Sequence, residues 1–306
     1  MRVDVYQMVT DRILEAIENG VCPWRKPWIT LQRSEGETPC VNYVTRKSYS
    51  PLNCLLLGEP GEYLSAKQID KLGGRIKPDA EPRMCVFYSQ YEFETENENT
   101  GEKKMHRIPL LRYYSVYHLS QVDGIESKLG QNAKPSWDGY NHTDEMEDEC
   151  FSMAQAIVDD YSSFRHVPIE FGGDRACYIP SSDKIRLPKM QAFKNFSEYF
   201  STAFHEMTHS TGHSSRLSRK EVTEPNRFGS EPYGREELTA EIGSAMLCNI
   251  CGIDNEAAFE NSAAYLKSWR DAIKADNKAI VYAACRAEKA VRYILFEYEP
   301  NKYQKQ

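Results

Sequence analysis

The chain has no apolar run long enough to cross a bilayer, which removes a helical membrane protein from consideration. Its opening residues, Met1 to Gln7, lack a basic region leading into an apolar stretch, so no secretory leader is expected. Nine cysteines, an odd number, show no disulfide-framework spacing, and together these absences predict a reducing cytoplasm. Positive charge is not in excess. The net charge of −7 argues against a protein that coats nucleic acid indiscriminately, and it is too modest for a DNA mimic with a dense acidic face. Internal repeats are absent. A lone CxxC, Cys248 and Cys251, has no second pair nearby and lies in an apolar helical segment, so core packing is its expected role.

What the chain does have is 306 residues, 41% hydrophobic and 27% charged, enough for a folded protein of two domains. The sequence Phe204-His-Glu-Met-Thr-His-Ser-Thr-Gly-His213 contains HExxH. On a helix, His205 and His209 share one face and can offer imidazole nitrogens to a single zinc ion. Glu206 then lies beside the metal as a base for an activated water, the chemistry of peptide-bond hydrolysis. Asn195 and Glu198 form a capping-box-like start. Phe196, Tyr199, Phe200, Ala203, Phe204 and Met207 recur at helical spacing, and Gly212 ends the segment.

A catalytic zinc site normally has three protein ligands. The HExxHxxGxxH pattern would put a third histidine at position 215, which is Ser215, and His213 comes two residues early. A following helix, Arg235 to Leu247, offers Glu237 and Glu241 on one face. Small residues Ala240, Gly243, Ser244 and Ala245 would let it approach the HExxH helix closely. Glu241 is the favoured third ligand, Glu237 the second choice and His213 the third. Tyr233, in the loop expected before that helix, is a candidate hydrogen-bond donor to a reaction oxyanion.

Residues 1–125 carry a net charge of −1 and the remainder −6. In the first part the acids gather between Glu92 and Glu102, leaving room for a basic face elsewhere. A helix is expected from Val3 to Asn19 and a short one from Leu64 to Leu72. Strands are expected at Met84–Tyr91 and Leu110–His118, separated by a turn at Glu92–Lys104. Residues 125–143 turn to Gly, Pro, Ser and Asn without periodicity and read as a linker. Beyond them come a helix at Asp144–Ser162 and short strands at Ile169–Phe171, Ala176–Ile179 and Lys184–Leu187. Helices near Glu256–Ala275 and Asn277–Phe296 finish the chain. Lys184–Leu187 is a candidate edge strand for an extended peptide.

Single-stranded nucleic acid is held by aromatic platforms interleaved with cations. Trp24, Arg25, Lys26 and Trp28 have that character, as do Tyr43, Arg46, Lys47 and Tyr49, and Arg112, Tyr113, Tyr114 and Tyr117.

The segments Tyr6–Ile13, Gly20–Trp28, Lys71–Arg75 and Ile108–Tyr114 together resemble antirestriction proteins of the ArdC type. So do His205–Arg219, Phe228–Gly229 and Tyr233–Glu241, and the likeness runs in order through nearly the whole chain. The resemblance implies an α+β chain of two domains: a single-stranded-DNA-binding domain over 1–124 and, after the 125–143 linker, a zincin-like metallopeptidase domain over 144–306 with a small sheet and the HExxH helix. It implies DNA contacts at Trp24, Arg25, Lys26, Trp28 and Tyr114, and a gluzincin-like zinc site on His205, His209 and the Glu237/Glu241 helix. It also implies carriage on mobile genetic elements. The competing expectation is a protein that protects single-stranded DNA by coating it, with a structural or inactive zinc site.

Overall fold

The structure is a computed structural model, and it describes residues 4–19, 22, 24, 40–96, 103–129, 144–224, 231–253 and 262–297. Helix α1 (Val5–Glu18) starts where the Asp4 carboxylate accepts the amides of Tyr6 and Gln7, and it buries Val9, Ile13, Leu14 and Ile17. Next come β1 (Cys40–Asn42), α2 (Pro51–Leu57), β2 (Gly61–Leu64), α3 (Ala66–Lys71), β3 (Arg75–Ile76), β4 (Arg83–Glu96), β5 (Lys103–His118) and β6 (Val122–Asp123). A four-stranded sheet has the order β1-β2-β5-β4, with β1 and β2 parallel and the other pairs antiparallel. β3 and β6 form a separate two-stranded ribbon.

Two expectations change here. The helix expected from Leu64 begins later, because Leu64 ends β2 and Ser65 caps α3 in a capping box with Gln68. The two expected strands extend into a long ladder from Arg83–Val116 to Glu96–Lys103. Helix α2 had no amphipathic signal because every one of its residues is buried; Ser50 caps it, Pro51 opens it, and Gly58 closes it at φ +77°.

The second half contains α4 (Asp144–Phe164), β7 (Ile169–Phe171), β8 (Cys177–Ile179), β9 (Lys184–Leu187), α5 (Phe196–Ser210), α6 (Lys220–Thr223), α7 (Glu231–Ile250), α8 (Ser262–Ala275) and α9 (Ala279–Ile294). The small sheet has the order β7-β9-β8. Lys184–Leu187 is therefore its central strand, not an edge: β7 pairs on one side and β8 on the other. The outer side of β8 faces α5 instead.

One buried cluster runs through both halves. Val9 and Ile13 of α1 belong to it together with Ile273 of α8 and Ile280 of α9. Thr10 donates to the Asn277 carbonyl at 2.9 Å across the same seam. The first residues of the expected linker also pack on the first half, since Tyr43 donates to the Glu126 carbonyl at 2.9 Å and the Lys128 amide donates to Glu62 at 3.0 Å. Residues 130–143 lie outside the described residues. Cys248 and Cys251 are buried in that core, as their apolar setting predicted. Among the described residues no helix is long and apolar enough to cross a membrane.

Candidate metal centre and nucleic-acid groove

Helix α5 opens as the sequence indicated: Asn195 accepts the Glu198 amide at 2.8 Å, and Glu198 accepts the Lys194 amide at 2.9 Å. Tyr199, Phe200, Ala203, Phe204 and Met207 are buried, which turns the His205 and His209 face towards α7. The two helices meet at small residues. An added Cβ on Gly243 would stand 2.7 Å from Thr208 Cγ2, and Ser244 Oγ donates to the Ser201 carbonyl at 2.7 Å.

This approach brings three donors together. The Nε2 atoms of His205 and His209 are 3.1 Å apart, and the Glu237 carboxylate spans them, with Oε2 3.5 Å from His205 Nε2 and Oε1 3.5 Å from His209 Nε2. Bonds of 2.0–2.1 Å in tetrahedral coordination would set neighbouring donors about 3.3 Å apart, so each of these spacings is close to that of a four-coordinate divalent ion of zinc's dimensions. His205, His209 and Glu237 form the metal-type cluster among the described residues.

Glu241, the favoured third ligand, stands elsewhere. Its Oε2 is 3.7 Å from Nδ1 of His205, on the far side of that ring from the converging Nε2 atoms. Glu237 and Glu241 share a helix face but sit one turn apart, and α7 is registered so that Glu237 is level with the histidine pair. His213 is also outside the cluster: its Nδ1 meets Ser215 Oγ at 2.8 Å and lies 3.7 Å from Asp183.

Carboxylates hold the outer nitrogens. His209 Nδ1 meets Glu236 Oε1 at 3.0 Å; Glu236 lies off the helix face shared by Glu237 and Glu241, so helical spacing alone does not point to it. Burial opposes charge on both rings, but the acids outweigh it. Glu237 and Glu241 hold His205 well above its ordinary value, and Glu236 and Glu237 push His209 up to about 9. Glu237, against its own burial, is held well below the usual carboxylate range by the two imidazoles. Glu206 points towards the small sheet, where its Oε2 accepts the Tyr178 amide of β8 at 2.6 Å. Tyr233 lies in the first turn of α7, not in a loop before it, and is four residues from Glu237 on the same face.

The first-half candidates divide into separate groups. Arg25, Lys26 and Trp28 lie outside the described residues. Trp24 has no exposed surface and packs edge-on against Trp269 of α8 at 5.3 Å, so its ring is a core contact and offers no face to a base. Tyr43 is likewise buried. Arg46 is committed to an ion pair with the buried Glu62. Arg112 is exposed opposite Phe87 in the ladder, and Tyr114 contacts Phe87 edge-on at 5.8 Å.

Lys47, Tyr49 and Tyr114 come together in a groove of about 580 Å³, with Phe87 and Tyr88 of β4, which the sequence reading did not single out. Asn53 builds one wall by pairing with both the amide and carbonyl of Val86, at 2.7 and 2.9 Å, which fixes α2 along the outer edge of β4. Cys285 and Glu288 of α9 line the same groove, so the second half contributes to it.

Residues 3–117 match the N-terminal domain of anti-restriction factor ArdC, and residues 156–286 match a zincin-like metallopeptidase domain. The metal-free crystal structure of the antirestriction ArdC protein from the R388 plasmid is 31% identical, with 96% of this chain and 98% of that chain covered and a TM-score of 0.66. The chain belongs to the ArdC antirestriction family.

A Mn(II)-bound structure of the R388 ArdC protein is similar at 29% identity, the same coverage and a TM-score of 0.67. An uncharacterised protein, y4eC, from Sinorhizobium fredii is 28% identical over 93% of this chain and 89% of its own length. Two DNA primases TraC from Escherichia coli are 28% and 29% identical over 95% and 98% of this chain, which spans only 20% and 28% of their lengths. In this ArdC-type chain the zincin-like match contains His205, Glu206, His209, Glu236, Glu237 and Glu241. The groove draws on both matches, because Cys285 falls in the second and the tyrosines in the first.

Proposed function

We propose that this ArdC-type protein is a DNA-associated, zinc-dependent metallopeptidase that binds single-stranded DNA and protects incoming DNA from restriction in the cytoplasm. The observation that carries the reading is the convergence of His205 Nε2 and His209 Nε2, 3.1 Å apart, on the Glu237 carboxylate, whose Oε2 and Oε1 lie 3.5 Å from the first and the second. Two imidazoles and one carboxylate suit zinc, and a zinc ion held there would polarise a carbonyl and acidify water. Glu206 takes the proton from the attacking water and returns it to the leaving amine. The Tyr178 amide fixes its carboxylate for that task. Tyr233 donates a hydrogen bond to the carbonyl oxygen as charge develops on it.

Single-stranded DNA is the partner we assign to the groove. Tyr49, Phe87, Tyr88 and Tyr114 offer ring faces for stacking, and Lys47 and the exposed Arg112 offer charge to phosphates. The boundaries 1–124 and 144–306 are retained as functional units, although α1 packs on the second half. The test compares the intact protein with Glu206→Gln on a mixture of unstructured polypeptides, with and without a single-stranded oligonucleotide. The variant should keep its metal and its DNA affinity and lose hydrolysis. DNA binding with no hydrolysis by the native protein under any condition would favour the coating mechanism with a structural metal.

A further inference from the structure

The run from His205 to Arg219 ends in two arginines, Arg216 and Arg219, to which the proposed chemistry gives no task. Both are buried, at 8% and 6% exposure, and a buried guanidinium needs partners. They point in different directions. Arg216 donates to the Ser210 carbonyl at 2.7 Å and to Asp183 and the Tyr178 hydroxyl, fastening the end of α5 to the β8–β9 turn.

Arg219 turns towards the metal centre. Its Nε and Nη2 donate to the two oxygens of Glu236, at 2.8 and 2.6 Å, in a bidentate fork. Nη2 also donates to the Thr208 carbonyl at 2.8 Å, and Nη1 to Thr211 Oγ1 at 2.7 Å, so the guanidinium is fixed from several sides. Gly212 leaves the room, since a Cβ there would stand 3.0 Å from Nη2. The Glu236 oxygen that takes Nη2, Oε1, is also the one 3.0 Å from His209 Nδ1. An imidazole that binds a metal through Nε2 must carry its hydrogen on Nδ1, and the acceptor of that hydrogen sets the ring's tautomer and orientation.

We infer that Arg219 is a positioning residue of the metal site, acting through Glu236 to hold His209 with Nε2 facing the ion. The inference rests on the reading of His205, His209 and Glu237 as ligands of a divalent metal. Lysine cannot replace it, because an ammonium group offers no planar fork to both carboxylate oxygens.

The experiment titrates zinc into the full-length chain after chelation, with thermal melting measured on every sample. Arg219→Ala and Glu236→Gln should each weaken zinc about 10- to 100-fold, the range for loss of an outer partner of a ligating histidine. Arg219→Lys should weaken zinc in the same direction. The double variant should be little worse than either single one, because both act through the same hydrogen bond. Added guanidinium ion should recover part of the affinity of Arg219→Ala. Arg216→Ala, equally buried but without contact to a ligand, should lower the melting temperature and leave zinc affinity as in the native protein. If Arg219→Ala does not fold, Arg219→Lys and Glu236→Gln carry the test. Native affinity in those variants, or equal losses from the Arg216 and Arg219 changes, overturns the inference and leaves the metal-site reading intact. No zinc binding by the native protein overturns both.

Discussion

Gly243→Ala perturbs the contact on which the metal centre depends. The new methyl would stand 2.7 Å from Thr208 Cγ2 and 2.8 Å from its Oγ1. Carbon atoms in contact prefer roughly 3.5–4.0 Å, so about 1 Å of separation must come from somewhere. Thr208 cannot swing away easily. It is β-branched, has no exposed surface, and its hydroxyl donates to the Phe204 carbonyl at 2.8 Å. The helices must move apart instead. Overpacking of this kind costs about 1–3 kcal/mol, and replacing a mid-helix glycine by alanine returns about 1 kcal/mol. The net loss of stability is therefore about 1 kcal/mol, a fall in melting temperature of roughly 1–2 °C for a chain of 306 residues. Metal ligation is less forgiving, because ligand distances hold within about 0.2 Å. Even half of the 1 Å shift would draw Glu237 of α7 away from the histidines of α5. Zinc affinity should fall about tenfold or more, the scale seen when ligand orientation is disturbed. Calorimetric zinc titration alongside thermal melting measures both effects. Adding Thr208→Ala removes the clashing atoms and should restore much of the affinity, a coupling readable in a double-mutant cycle. Unchanged zinc affinity together with a raised melting temperature in Gly243→Ala would refute the reasoning.

Glu237→Ala should abolish stoichiometric metal binding, Glu241→Ala should weaken it by about 10- to 100-fold as an outer partner of His205, and His213→Ala should leave it unchanged; metal analysis after dialysis ranks them. Asp183 is opposed by burial but held below its ordinary value by the Arg216 and Tyr178 hydrogen bonds. Its stabilising contribution is thus present above the unfolded carboxylate range and lost as pH falls through the lowered value. The melting-temperature gap between the native protein and Asp183→Asn should narrow from pH 7 to pH 3, and a constant gap would contradict this. Tyr114→Ala should weaken single-stranded DNA by about 1–3 kcal/mol if one base stacks there, whereas Trp24→Ala should lower thermal stability and leave the affinity of the folded protein alone. Fluorescence anisotropy with single- and double-stranded oligonucleotides, run with melting curves, separates the two.

The metal helix was legible in the sequence because its signals are local. Histidines four apart, a cap at Asn195 and an apolar face at helical spacing all act within one element. The choice between Glu237 and Glu241 was not legible, since both lie on one face of α7 and only the register of α7 against α5 separates them. That register is set by a tertiary contact, Gly243 on Thr208. The small residues of α7 did indicate a close approach. Trp24 misled for a related reason: an aromatic beside cations has the composition of a stacking platform, but its neighbour in space, Trp269, is distant in sequence. The role expected of β9 failed because strand order within a sheet leaves no trace in a four-residue strand. Phe87 and Tyr88 escaped notice in an ordinary-looking strand, and became groove residues only because Asn53 fixes α2 to the β4 edge.

One position in space decides the metal assignment, the point between His205 Nε2, His209 Nε2 and Glu237. Crystals soaked in zinc and measured on either side of the zinc absorption edge locate that ion without reference to any activity. A single strong anomalous peak is expected about 2.0–2.2 Å from both Nε2 atoms and a Glu237 oxygen, with Glu241 outside bonding distance. A peak bonded to Glu241 or His213, or none at the two histidines, would contradict it.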